Sequence, residues 1–219
     1  MADRVVLDLG YYSKAKNNII NEATKLFALK GFGAVSTRDI AKAVGMNIAS
    51  VYYYYESKEA LLTDIFSNVE KGFRHYYEWL IDESKKADSP EKLLDVIYNK
   101  ELLEMADPMV CLGISLAIKE QHNNAIARRL VVELFTDYSI SSMQAGFDGL
   151  VEKGVIRSFE TKALSTLLVL SAMAVNDLRL HEFTGEKTSI DFMEMYASTK
   201  RYVLSTLQYS TEKHQESAS

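Results

Sequence analysis

Ser36-Thr37-Arg38-Asp39-Ile40-Ala41-Lys42-Ala43-Val44-Gly45-Met46-Asn47-Ile48-Ala49-Ser50-Val51-Tyr52-Tyr53-Tyr54-Tyr55 is the stretch that decides how this chain folds. Ser36 followed three residues later by Asp39 has the form of a capping box, with Asp in place of the usual Glu. Ile40, Ala41 and Val44 give the helix it opens an apolar face. Gly45 breaks that helix and permits a sharp turn. Asn47 can cap a second helix, in which Ile48, Val51, Tyr52 and Tyr55 recur at i, i+3, i+4 and i+7. Two short helices, 37–44 and 48–54, joined by a tight turn have the length and spacing of a helix-turn-helix. Ala41 is small where the second helix must approach the first.

The same periodicity continues outward. Upstream, Ile19, Ile20, Ala23, Leu26 and Phe27 mark one face of a helix that should end at Gly31. Downstream, Ser57 caps a long helix whose buried face reads Leu62, Ile65, Phe66, Val69, Phe73, Tyr76 and Leu80. The two prolines follow cap residues, as Ser89-Pro90 and Asp107-Pro108, and start helices near 90 and 108. Further helices are expected over 124–153, 160–182 and 189–208, with Gly154 and Gly185 in the gaps and a polar, frayed tail from Ser210. The fold expected is all-α with about nine helices. Its expected parts are 1–56, 57–209 and a tail 210–219.

Composition agrees. The 219 residues are 47% hydrophobic and 25% charged, which provides a core and excludes global disorder. Ten Gly and two Pro are too few for a turn-rich β-sandwich or barrel. Cys111 is the single cysteine, so no internal disulfide framework or multi-Cys metal site exists. The first residues lack the basic and apolar regions of a signal peptide. The longest apolar stretch, 163–175, is short of a membrane span. A soluble protein in a reduced, cytoplasmic setting with no membrane partner is the expectation. Net charge is −5, yet residues 1–60 carry 8 Lys and Arg against 6 Asp and Glu, whereas the remainder carries 17 against 24. A basic front and an acidic back suggest two modules with different partners.

The second short helix has too many large side chains to bury them all. Ile48, Ala49, Ser50, Tyr53 and Tyr54 cannot all pack inside, and Arg38, Lys42 and Lys58 flank the same face. Such a helix can enter a DNA major groove with its first residues on the base edges. Ile48 and Ala49 suit thymine methyls, and Ser50 suits either base type. Tyrosine hydroxyls can reach phosphates. The alternative reading is a helical protein-binding adaptor without DNA activity.

Residues 14–62 resemble the DNA-binding domain of the TetR/AcrR family of transcriptional regulators. The resemblance runs through Ala23, Leu26-Phe27, Gly31-Phe32, Ser36 to Ala41, Ala43 to Met46, Ser50 to Tyr55 and Ser57 to Leu62. Asn47 stands where the family often has Ser, Ile48-Ala49 where Lys or Gln and Gly or Pro are common, and Tyr55 where Phe is usual. The Tyr55 exchange should leave the core unharmed, whereas Ile48-Ala49 removes a polar base reader. The resemblance implies phosphate contacts from Thr37, Tyr52, Tyr54 and Lys58, and a base or phosphate contact from Arg38. It implies a base-facing set of Ile48, Ala49, Ser50 and Tyr53, with Asn47 at its start.

The resemblance also implies a C-terminal domain for ligand binding and dimerisation. Large or flexible residues on inward faces, with one polar residue in an apolar helix, are the expected pocket lining. They are Phe66, Phe73, Tyr76, Trp79, Met105, Met109, Leu112, Phe147, Met173 and Asn176. A small lipophilic or aromatic effector suits such a lining. The expected homodimer interface comprises Leu164, Leu168, Met193, Tyr196, Lys200, Leu204 and Leu207, on the last two long helices. His75, His122, His181 and His214 are isolated and form no ligand pair or nucleophile signature. No enzyme activity, metal or cofactor is therefore expected. The reading is a ligand-responsive DNA-binding regulator, a repressor released from a palindromic operator by its effector.

Overall fold

The computed structural model describes residues 13–97, 108–178 and 191–216, and every regular element among them is helical. In chain order these are α1 (Lys14–Lys30), α2 (Thr37–Ala43), α3 (Ile48–Tyr54), α4 (Lys58–Lys86), α5 (Pro90–Ile97) and α6 (Pro108–Glu120). A continuous helix follows, α7, made of Ala125–Arg129, a π-helical stretch Leu130–Tyr138, and Ser139–Glu152. Then come α8 (Thr161–Leu178) and α9 (Phe192–Glu216).

Most boundaries lie where cap chemistry puts them. The Ser57 hydroxyl accepts from the Ala60 amide at 3.0 Å, and that of Ser89 from the Lys92 amide at 3.2 Å. The Asn124 side chain accepts from both Ile126 and Ala127. Two features differ from expectation. The sequence predicts one regular helix over 124–153, and the structure widens its turns between Leu130 and Tyr138. The last helix continues to Glu216, past the expected end at 208. Thr211 to Glu216 contains no Gly or Pro, and Glu, Lys and Gln are good helix formers, so nothing local stops it.

The described residues form two compact units, one from 13–75, 108–135 and 176–178, the other from 76–97, 136–175 and 191–216. This grouping cuts across the boundary expected at 56/57. In the first unit α1 packs chiefly against α6, and α2 against α1 and α3. Ile19, Phe27, Ile40, Val51, Leu61, Ile65, Phe66, Leu112 and Leu116 are its buried core. In the second unit α5 packs against the later part of α7 and against α9. Leu93, Leu94, Phe147, Leu150, Leu168, Val169, Val203 and Leu207 form one cluster there.

Leu168 and Leu207, expected at a dimer interface, therefore lie inside their own chain's core, with Leu164 and Leu204 packed against it. The Lys200 ammonium pairs with Asp95 on α5. Tyr196 is half-buried, and of the expected interface set only Met193 is exposed. The outward apolar residues of α8 are Leu167 and Leu170, continued by Ala163 and Ala174 at helical spacing. On α9 they are Met193, Met195 and Tyr202. Because 163–175 is apolar almost all round, periodicity could not tell its inner face from its outer one.

Gly113 on α6 meets α4 so closely that a Cβ there would strike Val69 Cγ2. Valine is stiff at χ1 within a helix, so it cannot swing aside. Gly113→Ala should therefore destabilise the protein by about 1–3 kcal/mol through overpacking, against a gain of about 1 kcal/mol from helix propensity. Urea denaturation checks this, and a stabilised variant would contradict the close α4–α6 approach.

Candidate nucleic-acid interface

The helix-turn-helix is built from satisfied helix ends. Ser36 caps α2 by accepting from the Asp39 amide at 3.2 Å, while the Asp39 carboxylate accepts from the Ser36 amide at 2.8 Å and its hydroxyl at 2.5 Å. These bonds, with Lys30 and Lys42 nearby, hold the Asp39 carboxyl below its ordinary value. At the other end Gly45 has φ of 68°, a left-handed conformation that side chains resist. The Gly45 amide then donates to the Lys42 carbonyl and the Met46 amide to the Ala41 carbonyl at 2.9 Å, the paired bonds of a Schellman motif. The Asn47 Oδ1 accepts from the Ser50 amide at 2.8 Å and the Ser50 hydroxyl at 3.0 Å, opening α3.

The segment before α2 is held from two sides. The Lys58 ammonium donates to the carbonyls of Phe32 and Val35, each at 2.7 Å, and lies over the Phe32 ring. Glu120, at the end of α6, accepts from the Phe32 amide at 3.3 Å. Its neighbour Lys119 donates to the Ala28 carbonyl at 2.8 Å, at the end of α1.

Behind α3, Val51 and Tyr55 are buried, and the Tyr55 hydroxyl donates to Asp64 Oδ2 at 2.7 Å. Lys16 pairs with the same carboxylate at 3.0 Å and sits over the Tyr55 ring. Sequence reasoning missed Asp64, Lys119 and Glu120, since each acts across long sequence separations. The signal for Asp64 was Tyr55 itself, because a buried phenol needs a partner.

In front, the expected DNA-facing residues come together. Ile48 is 37% exposed, Tyr52 49% and Tyr53 84%, and Arg38, Asn47 and Ala49 are also open. Of the seven residues of α3 only Val51 is buried. Thr37, Ser50 and Tyr54 are half-buried, with Tyr54 edge-to-face on Tyr53 at 5.1 Å. Lys58 is half-buried too, with two of its three donors engaged by backbone carbonyls.

The expected pocket residues divide between the two units. In the first, Phe66 and Leu112 are fully buried, Met109 is half-buried, and Phe73 packs on Phe135 at 4.5 Å. In the second, Tyr76 stacks on Trp79 and meets Tyr77 edge-on. There Phe147 packs on Phe159, and the Thr136 hydroxyl approaches Met173 Sδ at 4.0 Å. Met105 and the side chain of Asn176 lie outside the described residues.

Two features were not expected. Burial raises the hydroxyl of Tyr76, and pushes that of Tyr77 up to about 12 although Ser139 bonds to it. Tyr138 joins this aromatic group through Tyr77 at 5.7 Å. In the first unit, Asn68 on α4 is buried with its Nδ2 lacking a hydrogen-bond partner among the described residues.

A sequence model of the bacterial regulatory proteins of the tetR family matches residues 19–65, from α1 into α4. These residues, and not the remainder of the chain, carry the likeness to that family. Over 84 residues, 38% of the chain, it is 31% identical to the "Probable HTH-type transcriptional regulator YttP" of Bacillus subtilis (strain 168), matching 41% of that protein. Over 121 residues, 55% of the chain, it is 26% identical to the biofilm operon icaADBC HTH-type negative transcriptional regulator IcaR of Staphylococcus epidermidis, matching 63% of it. The matches thus span less than two thirds of these relatives. The likeness of fold extends further. A crystallised gamma-butyrolactone receptor (ArpA like protein) superimposes with a TM-score of 0.57 at 18% identity, covering 78% of this chain and 84% of that one. Among the described residues, no helix is long and apolar enough to cross a membrane.

Two outcomes test this TetR-type domain. Tyr55→Phe should cost about 1.5–3 kcal/mol in chemical denaturation, the worth of a hydrogen bond to a carboxylate, while leaving the exposed α3 face intact. The depressed Asp39 pKa makes its cap contribution fully present above the ordinary value of 3.8 and lost as pH falls through the lower folded value. Asp39→Asn should therefore lower the melting temperature at neutral pH, and the difference should close in acid.

Proposed function

We propose that this chain is a homodimeric, ligand-responsive repressor of transcription. Residues 1–56 grip operator DNA, and residues 57–209 bind an effector and a second copy. The observation that carries the reading is the exposed α3 face, held on a capped helix-turn-helix within a TetR-family match. Repression follows the role of IcaR, a negative transcriptional regulator. Such proteins act in the cytoplasm, where the operator is.

In this reading Arg38 and the half-buried Thr37 and Tyr54 contact the phosphate backbone, with Arg38 also in reach of a base. Ile48, Ala49 and Tyr53 face the bases. The third Lys58 donor meets a phosphate while the other two hold the loop. The two α3 helices of the dimer enter major grooves about one helical turn, roughly 34–36 Å, apart or a multiple of it. Dimerisation uses the outward apolar stripe of α8, with Leu167 and Leu170, and that of α9, with Met195 and Tyr202. Interfaces of this permanent kind bury about 2,000 Å² or more.

The effector is a small lipophilic or aromatic molecule, in keeping with the gamma-butyrolactone receptor as a structural neighbour. Asn68 supplies a polar anchor, since its buried amide nitrogen lacks a partner among the described residues and such a group calls for a ligand or a water. The effector releases DNA by favouring a conformation that binds the operator less well, and it acts only through differential affinity for the two states.

Arg38→Ala should weaken operator binding by about 1–3 kcal/mol if Arg38 reads a base. Lys58→Ala should weaken binding to all sequences and flatten the salt dependence by about one unit. Unchanged affinity in both folded variants would favour a protein-binding adaptor. Sedimentation should find a dimer at micromolar concentration, split by Leu167→Glu combined with Tyr202→Glu. Asn68→Leu should fold at least as stably as the parent while losing the thermal stabilisation given by any hit from a screen of lactones, fatty acids and aromatic acids.

A further inference from the structure

The polar side chains at the start of α3 are already engaged. Asn47 Oδ1 accepts two bonds from Ser50, one from its amide and one from its hydroxyl. An Asn identifies adenine by offering carbonyl and amide together in the plane of the base. Asn47 cannot do so while its oxygen caps the helix. The Ser50 hydroxyl donates its hydrogen bond to Asn47 and keeps only acceptor capacity. From Ile48 to Tyr54 the helix contains no Lys, Arg, His, Gln, Asn, Asp or Glu. The phenol of Tyr53, at 84% exposure, can donate or accept and so does not discriminate among bases.

What remains on this face is apolar. Ile48 is 37% exposed and Ala49 is open beside it. In the major groove one base carries an apolar mark, the C5-methyl group of thymine.

We infer that α3 selects its half-site by methyl recognition: Ile48 and Ala49 pack on thymine C5-methyl groups, and hydrogen-bonded base readout is left to Arg38 on α2. The inference rests on the DNA-binding reading above and specifies its chemistry. The preferred half-site holds thymine at the positions under Ile48 and Ala49. Cytosine and adenine there lack the methyl, and guanine presents acceptors that neither side chain can use.

The test removes the methyl and nothing else. Full-length protein is used to enrich binders from a random double-stranded DNA library at low salt. Single thymines of the enriched consensus are then replaced with deoxyuridine, in symmetric pairs, and affinities are measured by fluorescence anisotropy. Burying a methyl is worth about 0.8 kcal/mol, so each lost methyl should weaken binding roughly fourfold and a symmetric pair about fifteenfold. Ile48→Ala, an exposed change that favours helix, should bind the thymine probe more weakly and bring its thymine-to-uracil ratio close to one, with Ile48→Val between. Melting curves confirm that both variants are folded.

If deoxyuridine leaves affinity unchanged throughout an enriched consensus, methyl recognition is wrong while the DNA-binding function stands. If the methyl effect is equally large in Ile48→Ala, it arises from DNA shape and the assignment to Ile48 is wrong. If no sequence is enriched from the thymine library, the DNA-binding reading falls and this inference falls with it.

Discussion

The ammonium of Lys58 holds the chain segment that leads into the helix-turn-helix. It donates to two carbonyls, of Phe32 and Val35, in a segment that belongs to no helix. Half-buried carbonyls outside regular structure need partners, because unpaired polar groups are costly away from water. Glu120 meets the Phe32 amide and Lys119 meets the Ala28 carbonyl. The end of α1 and the approach to α2 are thereby set by side chains from α4 and α6. Once α2 starts in place, its own caps carry the order forward. The Ser36–Asp39 box begins it, the Gly45 turn ends it, and Asn47 opens α3.

That economy has a chemical consequence. The polar residues between 36 and 50 largely satisfy the backbone of the motif itself. Asn47 and Ser50 stand where base-reading groups are expected, yet they serve as a cap. The helix presented outward is therefore aliphatic and phenolic, with positive charge supplied from α2. The tyrosine run divides its labour in the same way. Tyr55 turns inward to Asp64 and Lys16, Tyr54 is half-buried against Tyr53, and Tyr52 and Tyr53 face out.

In the second unit the same helical grammar gives less guidance. An almost wholly apolar α8 can bury any face, and its partners α5 and α7 determine which one. The π-helical stretch adds to this. Its wider turns displace the side chains that follow from the positions a regular helix would give them. The aromatic group of Tyr76, Tyr77, Trp79 and Tyr138 draws on two helices far apart in sequence, and burial there raises both Tyr76 and Tyr77.

By itself the sequence determined the helices, their caps and the helix-turn-helix. These are local matters, decided within four or five residues by hydrogen bonds such as those of Ser36, Asn47, Ser57 and Ser89. It also determined the likeness of residues 19–65 to the tetR regulatory proteins, and the set of side chains that face outward from α2 and α3. Tertiary structure alone decided the rest. Tyr55 found its partner nine residues away, and Lys58 found its carbonyls 26 and 23 residues back. Leu168 and Leu207 became core rather than interface because α5 and α7 cover that side of α8 and α9. Periodicity records that a face is apolar, but which apolar face meets its own chain depends on what packs against it, and no local interaction encodes that choice.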